Sequence, residues 1–175
     1  MAKKGLRVVE CIARHFERCA AINAELGDMS LTKEEWLSML YDRSTYRGFT
    51  LVEDARVWGY VWCRLDWEDN QLVWYILSFV VHPDAEERGG CDLLVQHVIA
   101  KAACSNCAAV FVPIPNKEES QETLHMFVRN GFWCPVFELA LLQLPPKRQP
   151  SYLLLIWQEA VAISEYDRAN SLCLN

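Results

Sequence analysis

The chain has 175 residues, of which 52% are apolar and 23% charged, with a net charge of −6. That size suits one globular domain, the charge content excludes wholesale disorder, and an acidic total without a basic stripe argues against nucleic-acid binding. No apolar run reaches the roughly 18 residues of a membrane span, and none behind Met-Ala-Lys-Lys-Gly has the length of a signal peptide, so a cytoplasmic protein without a membrane partner is expected.

In chain order, Leu6–Glu10 alternates as a first strand, and Cys11–Leu26 follows with Ile12, Phe16, Cys19 and Ala20 at helical spacing. Thr32-Lys-Glu-Glu35 reads as a capping box opening a second helix with Trp36, Leu37 and Leu40 on its apolar stripe. Gly48–Glu53, Val57–Trp67 and Leu72–Val81 read as a three-strand meander. The last of them is apolar on both faces and so belongs in the middle of a sheet. His82–Gly90 is expected to be a charged loop, Cys91–Ala103 a helix, and Cys107–Val112 a strand stopped by Pro113 and Pro115. Ser120–Asn130 is a helix burying Leu124, Phe127 and Val128, with Gly131 at C′. Phe132–Leu144 and Ser151–Gln158 close the chain as two strands across Pro145-Pro146. The two are apolar enough to allow sheet extension in a homodimer, although a buried hairpin explains them equally. This order gives a mixed sheet, with a meander followed by a crossover helix. Residues 1–160 form one domain and residues 161–175 a polar tail.

Eight cysteines fall mostly inside apolar segments. Cys104-Ser-Asn-Cys107 is the only C-x-x-C; it ends a helix, and no second ligand pair accompanies it. Buried, reduced thiols and no metal are expected.

The segment Val80-Val-His-Pro-Asp-Ala-Glu-Glu-Arg-Gly-Gly-Cys-Asp-Leu-Leu94 resembles the signature of the GNAT N-acetyltransferase superfamily: a strand, x-Pro, a loop Q/R-x-x-G-x-G/A, then a helix opening toward Leu-Leu. The loop maps onto Glu86–Cys91, and the helix ending Leu124–Phe132 resembles the family's distal Gly-Phe marker. The resemblance implies an α+β three-layer fold, with helices on both faces of a mixed, mostly antiparallel sheet of about seven strands. It implies acetyl-CoA or another acyl-CoA as co-substrate. Arg88, Gly89, Gly90, Cys91 and Asp92 would hold the diphosphate, and Phe79, Val80 and Val81 would pair with the pantetheine arm. A glycine-rich turn feeding a helix N-terminus suits this task, because it presents first-turn amides and the positive end of the helix dipole.

Several positions depart from the family pattern. Glu86 stands where Gln or Arg is usual, with Glu87 beside it, and Cys91 replaces the last Gly or Ala. Phe127 occupies the place of the Tyr that protonates the leaving thiolate, and Ser120 that of an Asn seven residues before it. His125 lies about 200° round the helix from the missing acid. Leu77 and Ser78 replace the carboxylate that relatives often keep on the meander's last strand, which leaves Glu53, Asp66, Tyr60 and Tyr75 as candidate bases. Trp36 sits where the family's acceptor groove is walled. The resemblance therefore implies acetyl transfer from acetyl-CoA to a primary amine on a small molecule or a peptide. The catalytic residues are unassigned, and the alternative is a catalytically silent protein of the same fold that binds acyl-CoA or a protein partner.

Overall fold

The computed structural model describes residues 5–26, 31–117, 120–135 and 152–158. Strand β1 (Arg7–Glu10) leads through a 3-10 turn (Ala13–His15) into α1 (Phe16–Leu26) and α2 (Lys33–Tyr41). The meander β2 (Tyr46–Glu53), β3 (Arg56–Glu68) and β4 (Gln71–Val81) follows, then α3 (Pro83–Glu86), α4 (Gly90–Cys104), β5 (Ala109–Pro115), α5 (Gln121–Arg129) and β6 (Tyr152–Gln158). Among the described residues the strands form one six-stranded sheet in the order β1-β2-β3-β4-β5-β6, one fewer than expected. The difference lies at Phe132–Leu144. Within it Trp133 makes an isolated bridge to Ile156, and residues 136–144 lie outside the described residues, as does the tail 161–175.

Two compact units divide the chain. The first comprises residues 1–66 and 75–98. In β3, residues 57–63 are buried without interruption, as expected of a strand covered on both faces. On one side Cys19 and Ile22 of α1 and Trp36 of α2 close over Val52, Val57, Tyr60, Trp62 and Val80. Trp36 is 1% exposed and meets Phe16, Tyr60 and Trp62 edge-on, with centroids 6.0, 5.6 and 5.1 Å away. It is a core residue and not the wall of an acceptor groove, because three aromatic neighbours enclose it. The capping box forms as read: Glu35 N donates to Thr32 Oγ1 at 3.2 Å, and Thr32 N to Glu35 Oε2 at 2.8 Å.

The second unit comprises residues 67–74 and 99–175. Here β5 runs antiparallel to β6 from Ala109↔Gln158 to Pro115↔Tyr152. The strand does not stop at Pro113 as expected. Its two prolines are two residues apart, so their missing N–H groups fall on one edge and the opposite ladder stays complete. The β5 end near the crossover is tied down by Ala108 N, which donates to Leu72 O at 2.8 Å. Helix α5 ends at Asn130 with Gly131 at φ +89°, as its sequence suggested. Its buried residues are Met126 and Phe127, whereas Val128 is 50% exposed. Phe127 sets this rotation, because it packs edge-on against Phe132 at 5.1 Å.

Candidate functional site

The chemistry-bearing segment runs from the end of β4 into α4, within the first unit. His82 N donates to Trp58 O at 2.8 Å, so that residue faces β3. Backbone groups alternate along a strand, so Val80 shares that edge while Phe79 and Val81 present N–H and C=O on the other. Close approach to β3 shows also at Gly59, where an added Cβ would lie 2.6 Å from Val80 O. Phe79 is half-buried, and Val80 and Val81 are buried.

The segment His82–Gly90, expected as a loop, contains the short helix α3. Two features start it. Pro83 takes the first helical position, where a missing N–H is harmless, and the His82 Nδ1 accepts from Asp84 N at 3.2 Å. With Nδ1 accepting, Nε2 carries the proton and donates to Glu25 Oε2 at 3.2 Å, tying α1 to the end of β4.

The turn that follows is tightly bonded. Arg88 N donates to Ala85 O at 3.2 Å and Gly89 N to Glu86 O at 2.9 Å. Both amides are thus taken by the turn itself, and α4 opens directly after it with Gly90, Cys91 and Asp92 in its first turn. The two glycines serve different ends. Gly89 has φ +78° and nothing within 4 Å of an added Cβ, so its outer side is open. At Gly90 a Cβ would stand 2.7 Å from both Ala85 O and Leu51 Cδ2, so only glycine lets α3, α4 and β2 approach this closely. Cys91 is buried and Asp92 half-buried.

Arg88 does not point its charge at an open turn. Its guanidinium forks onto Glu53, with Nη1 at 3.0 Å from Oε2 and Nη2 at 2.5 Å from Oε1, and these hydrogen bonds raise its pKa further. Sequence reading missed this pair, because 35 positions separate the partners. Glu86 and Glu87 are both exposed.

The candidate bases are otherwise engaged. Glu53 holds Arg88, Asp66 lies 3.4 Å from Arg64, and the Arg64 guanidinium sits 5.3 Å over the Tyr75 ring. Tyr60 is 1% exposed; its hydroxyl donates to Asn23 Oδ1 at 3.0 Å and accepts from Asn23 Nδ2 at 2.7 Å. Ser78 Oγ reaches the same hydroxyl at 3.4 Å. In the second unit Phe127 is fully buried, and His125, two residues earlier on the opposite side of the helix, is exposed.

Burial pushes the Cys19 thiol up to about 12 and Cys107 to about 11, and raises Cys11. Among the described residues no group of three His, Cys, Asp or Glu could hold a metal.

Comparison with known proteins agrees with this geometry. The acetyltransferase (GNAT) family model matches residues 12–132. Arabidopsis thaliana NAA60, solved in complex with acetyl-CoA, superposes with a TM-score of 0.70 at 12% identity over 88% of this chain and 98% of that one. The ribosomal-protein-S18-alanine N-acetyltransferase of Escherichia coli gives 0.67 at 10% identity, covering 88% and 94%. A GNAT-family acetyltransferase of Streptococcus pneumoniae gives 0.65 at 15% identity, covering 88% and 99%. No curated protein sequence matches. On its family match, its six-stranded mixed sheet and the glycine turn that opens α4, the chain belongs to the GNAT acetyltransferase family.

Proposed function

We propose that the chain transfers an acetyl group from acetyl-CoA to a primary amine by direct attack of the amine on the thioester. The observation that carries this reading is the β4–α3–α4 turn. It pairs the open outer side of Gly89 with first-turn amides at Gly90, Cys91 and Asp92 and the positive end of a 15-residue helix. In this reading the diphosphate rests on those amides, and the pantetheine amides pair with the Phe79 and Val81 edge of β4. Glu86 and Glu87 extend into solvent, where water screens them from the diphosphate. A bond forms between the amine nitrogen and the acetyl carbon, the nitrogen gives up a proton to solvent, the carbon–sulfur bond breaks, and the thiolate leaves. Phe127 supplies no proton to it, so the thiolate is protonated from solvent, at a cost of about 10²–10⁴ in rate relative to a general acid.

The test is turnover of radiolabelled acetyl-CoA against N-terminal peptides, lysine peptides and small polyamines. Acetylated product from at least one amine class supports the reading. Saturable acetyl-CoA binding with no turnover of any amine would leave a silent acyl-CoA binder instead.

A further inference from the structure

Among the described residues the arginines mostly carry partners. Arg18 pairs with Glu25, Arg43 with Glu10, Arg64 with Asp66 and Arg88 with Glu53, while Arg47 donates to backbone carbonyls. Arg7, Arg14 and Arg56 have no carboxylate partner among the described residues, and all three line two cavities on the α1 side of the β2–β3 turn. One cavity, about 260 Å³, is lined by Arg7 and Arg14 above Val9, Ile12 and Val52; the other, about 320 Å³, by Arg14, Arg18 and Arg56 above Val57. They adjoin, sharing Arg14, His15 and Ala55.

We propose that these adjoining cavities form a binding site for a phosphoryl group, held by the guanidinium groups of Arg7, Arg14 and Arg56. Arg18 lines the second cavity with its guanidinium paired to Glu25 at 3.0 Å, so the guanidinium groups without a carboxylate there are those of Arg14 and Arg56. Arg56 is held in place by stacking, its guanidinium carbon 3.8 Å from the Trp58 ring centre. Guanidinium forks match phosphate oxygens two at a time, which point-charge lysines do not. Beside them His15 is 7% exposed and hydrogen-bonded to Thr50 Oγ1 at 2.8 Å, and burial and the Arg14 charge lower its pKa. The opposing charges nearby are Glu10, which lines the first cavity and pairs with Arg43, and Asp54, next to Ala55 in the turn. This site is separate from the α4 turn and does not rest on the proposed reaction.

The experiment is NMR of the ¹⁵N-labelled full chain, following arginine Nε–Hε and His15 ring signals during titration at constant ionic strength. The probes are inorganic phosphate and a phosphoserine peptide, with the unphosphorylated peptide as control. Saturable shifts at Arg14, Arg18 and His15, with affinity falling about tenfold or more in Arg14→Gln and Arg56→Gln but not in Arg129→Gln, support the site. Tighter binding of the peptide assigns the phosphoryl group to a modified protein segment, and equal binding to a small phosphorylated molecule; either ranking supports the site. Shifts confined to Gly90–Asp92, equal binding of the unphosphorylated peptide, or no shift at tens of millimolar phosphate would overturn it.

Discussion

Substituting Gly90 by alanine tests the turn most sharply. The new Cβ would lie 2.7 Å from Ala85 O, about 0.7 Å short of the 3.4 Å at which ordinary contact begins, and 2.7 Å from Leu51 Cδ2. The Leu51 methyl can rotate away, but the Ala85 carbonyl is backbone. It also accepts from Arg88 N, so α3 and the turn must move together. Overpacking of this kind costs about 1–3 kcal/mol, and the helix preference for Ala over Gly returns at most ~1 kcal/mol. Gly90→Ala is therefore expected to lose about 1–2 kcal/mol net, or roughly 2–8 °C in Tm for a chain of this length. Gly89→Ala meets no atom and loses about 1–2 kcal/mol to its left-handed backbone alone. The two differ in rescue. Adding Leu51→Ala removes one of the two clashing groups at Gly90, so the Gly90→Ala loss measured in that background shrinks, whereas the Gly89→Ala loss does not change. Urea unfolding of the three single variants and the two doubles measures this. A Gly90→Ala variant as stable as the parent would refute the packing argument, and no coupling to Leu51 would place the whole clash on the Ala85 carbonyl.

Tyr60→Phe strands both polar atoms of the 2%-exposed Asn23 and should cost about 1–3 kcal/mol in urea unfolding; Asn23→Leu on top of it should recover part of that loss. Because His15 is held below its ordinary 6.5 by burial and then by Arg14, the unfolded chain takes up the proton first. Stability present above pH 6.5 is thus lost as pH falls below it, and a Tm–pH profile should flatten there in His15→Gln. In native protein at pH 8, mass spectrometry after brief iodoacetamide treatment should find Cys104 labelled first among the described cysteines, with Cys11, Cys19 and Cys107 protected by burial and raised pKa. Glu53→Gln should tighten acetyl-CoA binding measured calorimetrically, since it frees Arg88 and removes a negative charge; weaker binding would mean the pair holds the turn in its binding shape.

Local rules carried most of the fold. Period-2 alternation located β1, apolar runs located the meander, the Thr32–Glu35 box located α2, and Gly131 ended α5, because each signal lies within a few residues of its effect. The glycine turn was legible for the same reason. What the sequence did not show depends on partners far along the chain. Arg88 to Glu53 and His15 to Thr50 each span 35 positions, and Asn23 to Tyr60 spans 37. The side of α5 that is buried followed Phe132 rather than the helix's own periodicity. His82 was read as part of a loop because its capping role needs Pro83 to be a helix start rather than a stop. The strand passing through Pro113 and Pro115 needs β6, about 40 residues later, to supply its ladder.

The central claim is that acetyl-CoA binds at the turn into α4, and backbone-amide NMR during acetyl-CoA titration tests it most directly. The account predicts saturable shifts centred on Gly90, Cys91 and Asp92, with Phe79 and Val81 moving in step. No shift at millimolar acetyl-CoA, or saturable shifts that leave the turn unmoved, would contradict it.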